Sequence, residues 1–195
     1  ADIDNDGDQD LLIGNEDRNR VMINDGKGFF EDQSATRLPY RESLEETREV
    51  DVADIDGDGD LDILYGNVQA FVAGAVRQNR LLRNDGKGFF KDITATHLPK
   101  DDHRCFSVAF LDIDNDGDPD IMTGNTNGPK FDGMTPFSVY RNDGTGNFSD
   151  VTGTILPPGI SGRGFDIDFM DINKDGKKDL FLSNRGSQDF LLLGQ

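Results

Sequence analysis

Residues 2–14 read DIDNDGDQDLLIG. Aspartates occupy every second position from Asp2 to Asp10, with one glycine among them, and the chain then turns apolar. Four inward-pointing carboxylates about 5 Å apart repel pairwise by roughly 0.8 kcal/mol, even at the dielectric of water. Six such pairs cost about 5 kcal/mol, the low end of a whole domain's stability. Such a segment is tolerated either as a solvated, floppy tract or as a loop that a cation fills. Regular spacing and recurrence favour the cation.

The segment returns three more times, as DIDGDGDLDILYGN from Asp54, DIDNDGDPDIMTGN from Asp112 and DINKDGKKDLFLSN from Asp171. A second motif keeps the same phase: NDGKGFFEDQSATRLP from Asn24, NDGKGFFKDITATHLP from Asn84 and NDGTGNFSDVTGTILP from Asn142. Each unit runs in one order. An alternating apolar stretch leads in (REVDVAD, FSVAFLD, FDIDFMD), then come the acidic loop, a short apolar run, a variable loop and a third run (RVMI, RLLR, SVYR, FLLL). An Asn-Asp-Gly turn closes the unit, and such turns between alternating runs signal hairpins. Each unit therefore reads as four short antiparallel strands. RESLEETRE (residues 41–49) is the one candidate for a short helix.

Four-stranded units that cannot bury their own faces stack around an axis as the blades of an all-β propeller. The expected divisions are 1–46, 47–103, 104–161 and 162–195. Two units are whole and two are partial, so the reading expects part of a larger ring. Phe30, Phe90 and Phe148 recur at one position and are expected to fill the core between blades.

Counted from its first Asp, each loop carries oxygen side chains at positions 1, 3, 5 and 9. These are Asp2, Asp4, Asp6 and Asp10; Asp54, Asp56, Asp58 and Asp62; Asp112, Asp114, Asp116 and Asp120; and Asp171, Asn173, Asp175 and Asp179. Position 6 is always glycine (Gly7, Gly59, Gly117, Gly176), which permits a sharp reversal. Position 7 (Asp8, Asp60, Asp118, Lys177) can add its backbone carbonyl. Hard oxygen ligands in a flexible loop suit calcium, which takes about 6–8 oxygens, better than the tighter octahedron of magnesium. No Cys or His lies in these loops, which argues against zinc or copper. About four calcium ions are expected, one per loop. An EF-hand is excluded, because it needs Glu at position 12, where this chain has Ile13, Tyr65, Thr123 and Leu182.

The pattern D-x-[DN]-x-D-G-x-x-D-[LI], followed by N-x-G-x-G-x-F-x-D-[VI]-T, resembles the FG-GAP/VCBS repeat family, which includes the propeller of integrin α subunits and many secreted bacterial proteins. The resemblance covers essentially the whole chain. It implies a calcium-loaded β-propeller, commonly of seven blades, with the ion in the hairpin between strands one and two. The fourth loop departs: Asn173 replaces an Asp, and Lys174, Lys177 and Lys178 intrude, so its site is expected to be the weakest.

The net charge is −18, and the loops hold 18 aspartates. Four calcium ions would bring the charge to about −10. Acidity is thus mainly a metal signature, and phosphate repulsion argues against nucleic acid. No apolar stretch is long enough for direct membrane insertion. Sites of modest affinity fill in millimolar extracellular calcium, so a secreted, periplasmic or cell-surface setting is expected. Cys105 reads as a small core residue and His97 as a surface residue, because His97 aligns with Arg37 and Ile155. SGRGFD (residues 161–166) resembles an adhesion tripeptide only superficially, since Gly164 and Phe165 fall in an expected strand.

The leading reading is a non-catalytic binding or structural module for a protein or glycan partner at the cell surface or matrix. The alternatives are a lectin-like propeller and the propeller of a calcium-dependent polysaccharide-degrading enzyme. The scarcity of Tyr and the absence of Trp weigh against sugar stacking, and no catalytic cluster stands out. Two variable loops, VQAFVAGAVRQ (68–78) and TNGPKFDGMTPF (126–137), exceed their counterparts by eight residues. The apolar tip of the first is expected to be a contact patch rather than a lid.

Overall fold

A computed structural model describes residues 1–39, 44–127 and 133–194. The first unit forms β1 (Leu11–Ile13), β2 (Arg20–Asn24) and β3 (Phe30–Asp32), followed by a helical turn, α1 (Ser34–Arg37). The second forms β4 (Thr47–Ala53), β5 (Asp62–Asn67), β6 (Arg80–Asn84), β7 (Phe90–Asp92) and α2 (Thr94–His97). The third forms β8 (Arg104–Leu111), β9 (Asp120–Thr126), β10 (Thr135–Pro136), β11 (Ser138–Asn142), β12 (Phe148–Asp150) and α3 (Thr152–Ile155). The last holds β13 (Ser161–Gly162), β14 (Gly164–Met170), β15 (Asp179–Asn184) and β16 (Phe190–Leu192).

Four antiparallel meanders result: β1-β2-β3, β4-β5-β6-β7, β8-β9-β11-β12 and β14-β15-β16. A small fifth sheet pairs β10 with β13 and so ties the third blade to the fourth. The fold class is all-β, with propeller-type blades. The register follows the alternation: Val50 faces Tyr65, which in turn faces Arg80. Within β5, Ile63 and Tyr65 join a core with Val21, Ile23 and Phe90, whereas Leu64 joins Val108, Ile121 and Phe148 on the opposite face. A middle strand buried on both faces loses the apolar/polar alternation, which is why ILYG is apolar throughout.

The innermost strands β4, β8 and β14 lie side by side. Their exposed edges are satisfied across blades: Val108 N donates to Glu49 Oε2 at 2.8 Å and Phe110 N to Asp51 Oδ2 at 2.7 Å. The glycine at or near the end of the second strand of the first three blades (Gly14, Gly66, Gly124; Ser183 in the fourth) admits this approach. A Cβ on Gly66 would lie 2.9 Å from Val108 Cγ1, and one on Gly14 would lie 2.7 Å from Thr47 Cγ2.

Three expectations change. Phe90 and Phe148 fill inter-blade cores, but Phe30 is 40% exposed, because among the described residues no sheet packs on that face of the first blade. The helix considered for residues 41–49 does not form where the chain is described. Thr47–Glu49 belong to β4, and the buried Glu45 and Glu46 serve distant partners instead of a helix (residues 41–43 lie outside the described residues). The helical turns α1, α2 and α3 were not foreseen. Asp32, Asp92 and Asp150 accept the N–H two residues on, from Ser34, Thr94 and Thr152. Those hydroxyls then accept N–H groups of Val21, Leu81 and Val139. Cys105 is buried in β8, where burial pushes its thiol far up.

Gly66→Val forces a branched side chain into Val108. The expected loss is about 1–3 kcal/mol, the usual cost of overpacking, and chemical denaturation measures it.

Candidate metal centre

The second, third and fourth acidic loops span the hairpin between a blade's inner strand and the next strand, and the first leads directly into β1. Strand-like alternation continues into each loop, so position 2 turns inward while positions 1, 3 and 5 turn to the loop. Ile3 and Ile55, at 1% exposure, plug the cores between successive blades. The rest of the loop is wound by its own carboxylates. Asp54 Oδ1 accepts the N–H groups of Gly57 and Asp58, and its Oδ2 accepts that of Gly59 at 2.9 Å. Asp2, Asp112 and Asp171 likewise bind the N–H of Gly7, Gly117 and Gly176. Position 5 accepts from position 7 in every loop: Asp6 from Asp8, Asp58 from Asp60, Asp116 from Asp118 and Asp175 from Lys177.

The glycine at position 6 has φ between 90° and 98° in all four loops, and a Cβ there would meet nothing within 4 Å. The demand is conformational, not spatial. Position 4 shares it: Asn5, Gly57, Asn115 and Lys174 have φ of 59°, 73°, 60° and 62°. The run Asn, Gly, Asn carried that signal in the sequence, because Asn and Gly tolerate this region best. Lys174 is the costly exception.

Position 9 is placed differently from the others. Asp10, Asp62, Asp120 and Asp179 are buried beneath the loop; the first three each accept two backbone N–H groups, and Asp179 accepts three, from Ile172, Asn173 and Gly194. For Asp62 these come from Ile55 (3.2 Å) and Asn84 (2.8 Å); for Asp120, from Ile113 and Asn142; for Asp10, from Ile3 and Asn24. This carboxylate staples the loop to the Asn-Asp-Gly turn of its own blade. That Asn then reaches across: Asn84 Nδ2 donates to Ile3 O and Asn142 Nδ2 to Ile55 O, both at 2.8 Å.

Carboxylate oxygens converge within 4.8 Å of one another in three groups: Asp2, Asp4 and Asp6; Asp54, Asp56 and Asp58; and Asp112, Asp114 and Asp120. Asp2 Oδ1, Asp4 Oδ1 and Asp56 Oδ1 are buried without a hydrogen-bond partner. Orphaned anionic oxygens gathered at one point are what a hard divalent cation satisfies. Acidic hairpins of this geometry recur once per blade. The chain belongs to the FG-GAP-like repeat family. The family profile matches residues 2–65, 66–123 and 130–182. Comparison with curated proteins gives no match.

The FG-GAP-like loops are not equivalent. In the fourth, Asn173 Nδ2 donates to Asp175 Oδ2 at 3.0 Å, and no three-carboxylate group forms there among the described residues. Asp8, Asp60 and Asp118 turn their side chains toward the Asn-Asp-Gly turn, against Gly26, Gly86 and Gly144, so only their backbone carbonyls remain for an ion. Lys177 is exposed. Sequence reasoning missed the arginines at this centre. Arg37, Arg83 and Arg141 lie 3.0, 3.1 and 3.6 Å from the position-3 carboxylates of Asp4, Asp56 and Asp114. It also missed Glu46, which is buried and accepts the N–H groups of Ala70, Phe71 and Val72 on Oε2. Burial raises the Glu46 carboxyl, but these three bonds and Arg48 outweigh it, so its pKa falls below the usual range.

Crowding is visible in the acid equilibria. Burial, then neighbouring aspartates, raises Asp4 and Asp56, although Arg37 and Arg83 pull them down. Burial pushes Asp62 and Asp120 up to about 6, against about 3.9 in an unfolded chain. A carboxyl raised on folding binds its proton more tightly when folded, so metal-free stability rises as pH falls through 6. The expected gain between pH 7 and pH 5 is about 1–3 kcal/mol in chelator. In calcium the trend reverses, because protons compete with the ion for the carboxylates. Urea titrations at both pH values, with and without calcium, read this out.

Proposed function

We propose that this chain is a non-catalytic, calcium-loaded propeller-type module that engages a protein partner outside the cytosol. One observation carries the metal part: three loops each bring three carboxylates together, and the first two leave buried oxygens without a donor among the described residues. Asp2, Asp4 and Asp6, Asp54, Asp56 and Asp58, and Asp112, Asp114 and Asp120 would hold the ion, with Asp116 beside the third group. Asp10, Asp62 and Asp120 hold the loop from below. Calcium supplies charge neutralisation, so that the hairpin can close without the repulsion of its own side chains. Loops of this openness suit affinities of about 10⁻⁴–10⁻³ M, which extracellular calcium fills and cytosolic calcium does not.

The contact surface we favour is the loop between β5 and β6. Glu46 fixes its backbone, and Phe71 at its tip is 74% exposed with the Arg48 guanidinium 5.3 Å over its ring. A large apolar side chain displayed on a pinned loop loses little entropy on binding, as an interface anchor requires. The corresponding third-blade loop lies partly outside the described residues, but Met134 on its flank is 59% exposed. Phe165 is also 53% exposed and stacks on Phe106 at 6.0 Å at the same ends of the sheets, away from the acidic loops.

Calorimetric titration of chelator-stripped protein tests the metal reading. At least three calcium ions are expected to bind with dissociation constants near 10⁻⁴–10⁻³ M, and Asp56→Asn should remove one. Absence of uptake at 10 mM calcium overturns it.

A further inference from the structure

Two arginines join the acidic loop of one blade to the blade that follows, and they come from different places in the repeat. Arg37 ends α1 and is buried. Its NH2 donates to Asp4 Oδ2 at 3.0 Å and its NH1 to Lys87 O, in the Asn-Asp-Gly turn of the second blade. Gln33 Oε1 fixes the third arm by accepting from Nε at 2.8 Å. Arg83 lies in β6. Its Nε forms an ion pair with Asp56 Oδ2 at 3.1 Å, with the N–H off the hydrogen-bond axis, and its NH2 donates to Thr145 O at 3.2 Å. Asp4 and Asp56 are the same loop position, and Lys87 and Thr145 are the same turn position. In the first blade the place of Arg83 is taken by Ile23, and in the second the place of Arg37 is taken by His97. One guanidinium therefore reaches the same two acceptors by two routes.

In both cases one carboxylate oxygen faces the guanidinium, and the other, Asp4 Oδ1 or Asp56 Oδ1, is buried and unpartnered. We infer that Arg37 and Arg83 are positioning residues that orient the position-3 carboxylate toward the bound ion and latch the loaded loop to the next blade. The inference rests on the calcium reading above. It also goes against simple electrostatics: a cation beside a calcium site repels the ion, so deleting it should tighten binding. A latch predicts the opposite sign, because the freed carboxylate must be ordered by the ion itself. Arg141 supplies a matched control. It lies 3.6 Å from Asp114, its side chain is 52% exposed, and among the described residues it donates to no neighbouring blade.

Hydrogen exchange of the whole chain across a calcium titration gives a midpoint of protection for each loop, read on peptides covering 54–62 and 112–120. Arg83→Gln is expected to raise the 54–62 midpoint about tenfold, the low end of what losing an outer partner of a metal ligand costs. Arg141→Gln should leave the 112–120 midpoint unchanged or lower it. Arg83→Lys keeps the charge but cannot fork between two acceptors, so the 54–62 midpoint should rise here too; this variant decides the matter if Arg83→Gln fails to fold. A 54–62 midpoint that is unchanged or lowered, or an equal rise in Arg141→Gln, overturns the latch while leaving the metal reading intact. No calcium-dependent protection in the unmodified chain overturns the metal reading and the latch with it.

Discussion

Like charge forced into a tight turn is the constraint on which the rest of the structure depends. Three of the four acidic hairpins place three carboxylates around one point, and in the first two a fourth lies buried beneath it. Backbone N–H groups absorb part of that charge. Asp54 takes three and Asp62 takes two, so these oxygens are held by dipoles rather than by water. Asp4 and Asp56 are left with buried oxygens that nothing among the described residues satisfies. Such a loop is pre-organised at the cost of its own stability, which a bound cation would restore. The raised acid equilibria of Asp62 and Asp120 express the same debt in protons.

The loop is also a joint between blades. Ile3 and Ile55 enter the inter-blade cores, and their carbonyls accept from Asn84 and Asn142 of the following blade. Those asparagines receive their own position from Asp62 and Asp120, through the backbone N–H. A loop, the turn of its own blade and the loop of the preceding blade thus share one hydrogen-bond chain. Buried polar chains of this kind gain most when every member is satisfied. The order runs along the sequence, which gives the array nearest-neighbour coupling, as in other repeat architectures.

Much of this was legible in the residues. The period, the strand order and the acidic positions followed from Asp and Gly spacing, because both carry strict local demands. The turn glycines and the position-6 glycines adopt the positive φ that only their type accepts readily. What escaped the sequence depends on distant partners. The helical turns span four residues, too few to display a 3.6-residue period, and they are set by Asp32, Asp92 and Asp150. At position 9 the sequence does not show the second task of the aspartate, because it reads the same whether it faces an ion or a backbone; burial and two backbone N–H partners set Asp62 apart from Asp58, while Asp120 also joins the carboxylate group of its loop. Arg37 and Arg83 were invisible as a pair because they occupy unrelated positions in the repeat. Glu46 was hidden in a charged stretch with helical composition. Phe30 shows the converse limit: its sequence position matches Phe90, but burial also needs a neighbour on that face.

The central claim is that a divalent ion closes these hairpins and thereby holds the blades together. Thermal unfolding of the chelator-stripped chain, with and without 10 mM calcium, tests it most directly. Three or more sites filled well above their dissociation constants should raise the midpoint by at least about 10 °C. An identical midpoint in calcium and in chelator would contradict the account.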